Sequence, residues 1–345
     1  MDKRIANRPA GRVTLHDVAA AAGVSKSTVS RVLDERLPPS DNATARRVRE
    51  VAEDLGYMRD NAAATLRRGS TMTVGVIVPR LTDTVMAMLY EEIAKACIKA
   101  GRFAIVATTE DRVGADRDAA ESLIRRGVDG LILATAREDD DFPEQLVSRG
   151  VPTVLALRSR KNCAAAIGDD RLGGFLAARH LLDLGHERFG IIAGPPYASS
   201  SVARVESFRE TLAAAGIPHA NIFERKSDFG IDSGADVAAI IMGERKRPTA
   251  LFAVNDNTAI GALSVLLGQG LRVPAEVSLV GYNDIPIVSR LPIPLTTLRV
   301  PFDQVATNAL NLLSSNDKRS EAPTLVSAPT LIPRQSTGRA PLQFH

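Results

Sequence analysis

The chain of 345 residues carries 43 lysines and arginines against 40 aspartates and glutamates, a net charge of +3. All of this excess positive charge lies in residues 1–70, which hold 13 basic and 9 acidic side chains. With 45% hydrophobic and 24% charged residues, it has the composition of an ordinary globular protein, which excludes global disorder. Two cysteines, Cys97 and Cys163, exclude a disulfide framework and a four-ligand zinc site, and no run approaches the roughly 18 apolar residues of a membrane span.

Residues 12–58 have the pattern of three short helices with tight joints. A helix over 15–22, a glycine-containing turn and a helix over 26–33 have the spacing of a helix-turn-helix motif. In that motif the second helix enters the major groove of DNA. The residues suited to cap or join these helices are Thr14, Gly23, Ser25 and Asp41.

The start of the second helix carries the side chains expected to contact DNA. Lys26 and Arg31 can donate hydrogen bonds to guanine, and Ser27 can bond to any base edge. Hydroxyl groups near a helix N-terminus suit phosphate oxygens, and the candidates are Ser25, Thr28 and Ser30. On this spacing alone, the alternative is a small three-helix domain with a solvated basic face.

From residue 72 onward, apolar runs alternate with amphipathic stretches, which predicts parallel, doubly wound sheets. About 270 residues are too many for one core, so two α/β lobes are expected. The predicted strands are Val74–Val78, Phe103–Ala107, Gly130–Leu133, Thr153–Leu157, Phe189–Ala193, Ala250–Val254 and Ser278–Tyr282. The predicted helices are Met86–Ala100, Ala115–Arg126, Leu172–Leu184, Val202–Ala215, Ile231–Met242 and Asn257–Gln269.

The segment VTLHDVAAAAGVSKSTVSRVL (residues 13–33) resembles the signature of the LacI/GalR family of bacterial transcriptional regulators. The resemblance continues through GHERFGIIAGP (185–195), PTALFAVND (248–256), GLRVPAEVSLVGYND (270–284) and PLTTLR (294–299). It implies an N-terminal all-α helix-turn-helix head and a two-lobed α/β effector core like the type I periplasmic binding proteins. The implied divisions are an N-terminal arm (1–11), the helix-turn-helix domain (12–58), a hinge helix or linker (59–71), a first lobe (72–166 and 297–329) and a second lobe (167–296 and 330–345).

The resemblance assigns roles in DNA binding by position. It implies that Lys26 and Ser27 are the specificity pair and that Arg31 reads a further base. In the linker it implies a hinge helix that enters the minor groove of the operator centre and wedges a base step open. The hinge residues implied are Ala62, Ala63 and Leu66. The chain departs from the family pattern just before them, because Met58-Arg59-Asp60 stands where the family usually has Pro-Asn after the tyrosine.

The resemblance also places a small-molecule effector between the lobes, at the carboxyl ends of the strands. The implied contributors are Val85, Met86, Arg158, Arg204, Phe229, Asn255 and Asn283. Two positions that are carboxylates in sugar-responsive members are Asn283 and Leu157 here, and two aromatic positions are Val85 and Met86. The two arginines remain, which favours a small organic acid, with a sugar derivative as the alternative effector and a structural ion pair as the alternative role of each arginine.

The function implied is that of a dimeric cytoplasmic repressor that binds a pseudo-palindromic operator in double-stranded DNA and is switched by the effector. Activation stays open as an alternative, as does the choice between induction and corepression. We expect no catalytic residue, cofactor, metal site or membrane contact, because the sequence has neither the glycine fingerprint of dinucleotide-binding enzymes nor a P-loop nor a G-x-S-x-G nucleophile motif. The missing apolar signal segment and the helix-turn-helix pattern both argue against an exported binding protein.

Overall fold

The computed structural model describes residues 13–34, 37–57, 70–112, 114–315 and 322–341. The chain divides into two compact units, residues 1–71 and 72–345. The predicted N-terminal arm and the hinge residues Ala62, Ala63 and Leu66 lie outside the described residues. No helix of the described ranges is long and apolar enough to cross a membrane.

The described part of the first unit contains three short helices, which confirms the predicted helix-turn-helix pattern. They are α1 (Leu15–Ala22), α2 (Lys26–Val32) and α3 (Ala43–Asp54). Thr14 and Asp17 cap α1 reciprocally, and the Thr14 amide donates to the Asp17 carboxylate at 2.9 Å. Gly23 ends the helix at a φ of 65°, a left-handed conformation that favours glycine. The buried core of this unit is Val18, Ala19, Ala22, Val29, Val48 and Ala52.

The prediction that Asp41 caps α3 is wrong, because Asn42 does so. The side-chain oxygen of Asn42 accepts a hydrogen bond from the Ala45 amide at 2.8 Å, which is the reach of an N-cap residue to the third helical position. Asp41 lies one residue too early for that contact, and its backbone carbonyl instead accepts from Arg46 at 3.0 Å.

The second unit contains two six-stranded sheets, each with its own lobe. The first lobe comprises β1 (Thr73–Val78), α4 (Thr84–Lys99), β2 (Phe103–Thr108), α5 (Ala115–Arg125), β3 (Gly130–Leu133), α6 (Phe142–Ser148), β4 (Thr153–Ala156), β5 (Ala164–Gly168), α11 (Phe302–Ser314) and β11 (Thr324–Ser327). The second comprises α7 (Asp170–Asp183), β6 (Phe189–Ala193), α8 (Ser199–Ala214), β7 (Ile222–Lys226), α9 (Ile231–Met242), β8 (Ala250–Ala253), α10 (Asp256–Gly268), β9 (Ser278–Asn283), β10 (Thr296–Arg299) and β12 (Thr330–Ile332).

Both sheets have the predicted doubly wound topology. The strand orders are β11-β5-β4-β3-β1-β2 and β12-β10-β9-β8-β6-β7. The first sheet is parallel throughout, and in the second only β12 runs antiparallel to its neighbour, β10. In such sheets the carboxyl ends of the strands open onto one edge, where ligands bind.

Two of the predicted lobe boundaries are corrected by the strand pairing. β5 continues in the first sheet to Gly168, two residues beyond the predicted boundary at 166. β10 pairs with β9 in the second sheet, so the chain returns to the first lobe after Arg299 and not at 297. The apolar pattern did not show this, because β10 is four residues long and half of it is threonine. The chain passes between the lobes a third time between Ser327 of β11, in the first sheet, and Thr330 of β12, in the second.

Candidate functional site

The α2 helix presents an exposed face with DNA-contacting chemistry. Val29 is buried against the other helices, while Lys26, Ser27 and Arg31 are exposed. Neither basic side chain forms an ion pair with the residues that the structure describes, so both remain available to a polyanion. Ser25 holds the start of the helix, since its hydroxyl accepts the Thr28 amide at 3.1 Å. The hydroxyls of Ser27 and Thr28 each lie 2.8 Å from that of Ser25.

A cavity of about 290 Å³ lies between the two lobes of the second unit. All seven residues predicted to bind the effector line it, namely Val85, Met86, Arg158, Arg204, Phe229, Asn255 and Asn283. They come from strand ends and helix starts of both sheets. A ligand in this cavity would therefore contact both lobes at once, which is the geometry that couples binding to lobe closure.

Strained backbone collects around this cavity. Four of its non-glycine lining residues have a positive φ: Asp111 at 56°, Leu157 at 64°, Phe229 at 73° and Asn283 at 107°. Residues other than glycine rarely adopt this backbone conformation. Such strain is concentrated at ligand sites, where the geometry of binding requires it. Leu157 directly precedes Arg158, whose guanidinium carbon lies 6.0 Å from the centroid of the Phe229 ring.

Arg204 is bound into the second lobe by three contacts. Its Nε lies 2.7 Å from the Asp170 carboxylate, and its Nη1 donates to the Val254 carbonyl at 2.7 Å. Its guanidinium carbon lies 3.7 Å from the centroid of the Tyr282 ring. Both charged side chains are only 7% exposed. This is the structural ion pair that the sequence left open as an alternative, and it neutralises Arg204 within the protein.

Arg158 has a different environment. It is 6% exposed, and its Nη1 donates to the carbonyls of Thr135 at 3.3 Å and Ala136 at 3.0 Å. Within the described part of the chain, no carboxylate lies within 4 Å of this guanidinium. Burial lowers the pKa of Arg158 from its ordinary value, and Tyr197 opposes this shift. Its guanidinium carbon lies 5.6 Å from the Tyr197 ring and 6.0 Å from the Phe229 ring.

The two asparagines at the cavity differ in how far the fold already uses them. Asn255 caps α10 by accepting the Thr258 amide at 2.9 Å, and its amide group donates to the Phe229 carbonyl at 3.0 Å. Asn283 is 3% exposed, and its side chain forms no hydrogen bond with any residue of the described ranges. Asn283 therefore keeps both its donor and its acceptor for a ligand.

Five further cavity residues with charged or amide side chains were not predicted from the sequence: Arg80, Asp83, Asp111, Asp228 and Asn257. Asn257 donates to Asp83 at 3.1 Å, a contact that joins α10 of the second lobe to the start of α4 in the first. Burial raises the pKa of Asp83, while the hydroxyl of Ser233 lowers that of Asp228. Asp83 carries a detectable signal, because it caps α4 ahead of an amphipathic stretch. The other four follow no motif.

Comparison with known proteins gives a consistent result across both units. Residues 14–60 match the family described as bacterial regulatory proteins, lacI family, and residues 178–337 match the periplasmic binding protein-like domain. The transcriptional regulator GalR of Escherichia coli is 33% identical over 341 residues, covering 96% of this chain and 97% of that protein. The repressor PurR of Photobacterium profundum is 30% identical over 328 residues, covering 94% and 98%.

The chain belongs to the LacI family of bacterial regulatory proteins. Among solved structures, the Lac repressor dimer bound to operator and the anti-inducer ONPF aligns with a TM-score of 0.85 and 27% identity, covering 95% of this chain and 100% of that one. This LacI-family protein is thus a DNA-binding transcriptional regulator. Its relatives are regulators and not enzymes, which agrees with the expectation from the sequence.

Proposed function

We propose that this LacI-family protein is a dimeric repressor that binds a pseudo-palindromic operator and is switched by a small molecule in the interlobe cavity. The observation that carries the proposal is the joint presence of an exposed, capped recognition helix and a strained cavity lined from both lobes. The relatives GalR and PurR extend over nearly the whole chain, and PurR is named as a repressor. A protein that binds operator DNA acts in the cytoplasm.

In this proposal the second helix specifies the operator. Lys26 and Ser27 meet the first base edges, Arg31 meets a base one turn further along, and the hydroxyls around Ser25 bind phosphate. The two-fold symmetry of a dimer matches the symmetry of the half-sites. Ala62, Ala63 and Leu66 would enter the minor groove between them.

The cavity provides the switch. Its lining residues come from both lobes, and Asn257 and Asp83 already join the lobes by a hydrogen bond. An effector that binds the closed arrangement more tightly than the open one shifts the population toward closure by that difference in affinity. Lobe closure would then change how the two recognition helices of a dimer are spaced on the operator.

The test of DNA recognition uses the full chain and an operator selected from random duplexes. Lys26→Ala with Arg31→Ala should abolish site-specific binding, since each good base contact contributes about 1–3 kcal/mol of discrimination. The matched control, Arg245→Ala with Lys246→Ala, removes one arginine and one lysine from exposed positions of the second lobe and should leave specific binding intact. If the variant with Lys26→Ala and Arg31→Ala kept specific binding while the control variant lost it, the assignment of α2 as the recognition helix would be refuted.

A further inference from the structure

The polar side chains of the interlobe cavity form two groups of opposite character. One group centres on Arg80, which forms an ion pair with Asp111 at 3.1 Å and opposes the burial that raises the pKa of Asp83. The Ser233 hydroxyl and, more weakly, Arg80 lower the pKa of Asp228, which lines the same cavity. This group contains three carboxylates and one half-exposed guanidinium, so its excess charge is negative.

The other group is Arg158 and the rings beside it. Arg204 has a carboxylate at 2.7 Å, whereas Arg158 has none within 4 Å among the described residues, although both side chains are more than nine-tenths buried. Asp111 and Asp116 attract Arg158 from beyond 4 Å, but a buried cation with no carboxylate in contact is still costly for a folded protein. Where such a group lines a cavity, the missing counter-charge points to an anionic ligand.

The unused donors of Arg158 define how an anion would bind. The two backbone carbonyls of Thr135 and Ala136 occupy Nη1. Nε and Nη2 form no hydrogen bond with the part of the chain that the structure describes, and together they present the parallel pair of donors that matches a carboxylate. The rings of Tyr197 and Phe229 lie 5.6 and 6.0 Å from the guanidinium carbon, and the Arg158 side chain is buried, so water would screen a bound anion only weakly.

The rest of the cavity limits the charge and size of the ligand. Asp83, Asp111 and Asp228 would repel a doubly charged phosphate more than a singly charged carboxylate. The same carboxylates, together with the free amide of Asn283, are suited to hydroxyl groups. A volume of about 290 Å³ lies at the lower end of the usual range of ~300–1,000 Å³ for ligand pockets, which suits a molecule of monosaccharide size.

We propose that the effector is a hydroxylated carboxylic acid of sugar-acid size, whose carboxylate binds side-on to Nε and Nη2 of Arg158 and whose hydroxyls face the acidic group. This inference rests on the proposed function, because it names the ligand of the same switch. Arg204 takes no part in binding the anion, since its charge is already matched by Asp170.

The experiment compares acids with neutral molecules that have the same hydroxyl pattern. Isothermal titration calorimetry and thermal shift on the full chain would use gluconate against sorbitol and galacturonate against galactose, with glucose 6-phosphate as the phosphate-bearing member. We expect at least one acid to bind at least about tenfold more tightly than its neutral partner and than the phosphate ester. Arg158→Gln should weaken that acid by about a hundredfold, because two charge-assisted hydrogen bonds are lost, and should leave the neutral partner unchanged.

Two further arms keep the result interpretable. The thermal unfolding transition of Arg158→Gln without effector reports that the variant is folded. Arg158→Lys, which keeps the charge and loses the fork, should bind the acid with intermediate affinity. A neutral sugar that binds as tightly as its acid, a phosphate ester that binds more tightly, or a panel in which no acid binds would each overturn the proposal. An acid that binds through Arg158 and leaves operator binding unaltered would overturn the proposed switch and not the anion site.

Discussion

Replacing Arg204 by methionine separates a structural from a ligand-binding role for this arginine. The variant removes the ion pair with Asp170, the hydrogen bond to the Val254 carbonyl and the contact with the Tyr282 ring, at distances of 2.7, 2.7 and 3.7 Å. It leaves the Asp170 carboxylate 7% exposed and without its cation. Breaking a buried pair in this way costs about 3–5 kcal/mol, because the remaining charge is buried and uncompensated.

The stability lost in Arg204→Met depends on pH, because it depends on the ionisation of Asp170. Burial raises the pKa of Asp170, and Arg204 opposes that effect, so the pKa rises further in Arg204→Met. A carboxyl group whose pKa is higher in the folded state contributes stability at low pH and loses it as the pH rises. The deficit of Arg204→Met relative to the wild type should therefore be larger at pH 8 than at pH 5. The double variant Arg204→Met with Asp170→Asn should be more stable than Arg204→Met alone, because an unpaired amide costs less to bury than an unpaired carboxylate.

Urea unfolding of the wild type and the two variants at both pH values measures these differences, with acid binding measured alongside. A loss below about 1 kcal/mol in Arg204→Met, together with abolished effector binding, would refute the structural role and return Arg204 to the ligand site. A deficit that is equal at both pH values would show that Asp170 does not carry the cost.

Three more predictions concern single positions. Gly261→Ala should destabilise the protein by about 1–3 kcal/mol or more, because its Cβ would lie 1.9 Å from the Ile231 carbonyl oxygen. Gly268→Ala on the same helix meets nothing within 4 Å and should stabilise the protein by about 0.5–1 kcal/mol. If urea unfolding gave both variants a change of the same sign, the close packing of α9 on α10 would be contradicted. Burial raises the pKa of Asp256 to about 7, so its stabilising contribution is lost as the pH rises from about 4 to about 7. Asp256→Asn should therefore flatten the dependence of the free energy of unfolding on pH across that window. An unchanged pH dependence would refute the raised pKa of Asp256. Ser25→Ala should destabilise the first unit by about 1 kcal/mol and weaken operator binding, because the helix cap is lost. Ser25→Asp should keep the cap and still weaken DNA binding, because it adds negative charge. Calorimetry and gel shift on both variants would contradict this if Ser25→Asp were the less stable variant or bound operator as the wild type does.

The sequence predicted strands with runs of large apolar residues and missed strands that are polar or rich in alanine. β1, β3 and β9 are interior strands built mainly of apolar residues, and each was predicted within one or two residues. β7 (IFERK) was missed because an edge strand is exposed and polar, and β5 (AAAIG) because alanine has little strand preference. Tertiary pairing forms these strands, and a short local pattern does not contain that information.

The helices show the same division. α5 and α9 were predicted within one residue, because their amphipathic pattern runs over three turns. α6 was missed because it is seven residues long and has a proline in its first turn, a residue that a sequence pattern associates as much with a loop as with a helix start. α11 was missed although its apolar face packs on the first sheet, because it follows a strand that was itself not recognised.

Seven residues that line the cavity were predictable by position, whereas their ion pairs and hydrogen bonds were not. The resemblance to the family brought seven lining residues together, and the carboxyl ends of the strands explain why they meet. The partner of Arg204 is 34 residues earlier in the chain, at the start of α7, and no local pattern joins the two. The carboxylates Asp111 and Asp228 converge on the cavity from loops of different lobes, which only the folded structure brings together.

The distribution of charge and strain explains why one chain can hold two functions. Residues 1–70 carry a net charge of +4, and their exposed Lys26 and Arg31 suit a polyanion. The rest of the chain is nearly neutral, and among the described residues its one buried cation without a carboxylate within 4 Å is Arg158. Keeping that cation and the left-handed residues Leu157 and Phe229 lowers the stability of the empty protein. In the proposed binding mode, the carboxylate contacts Arg158 of the first lobe and the hydroxyls face an acidic group that includes Asp228 of the second lobe, so the ligand contacts both lobes. The free energy gained from compensating the cation is thus available to hold the lobes closed, which links effector chemistry to the switch.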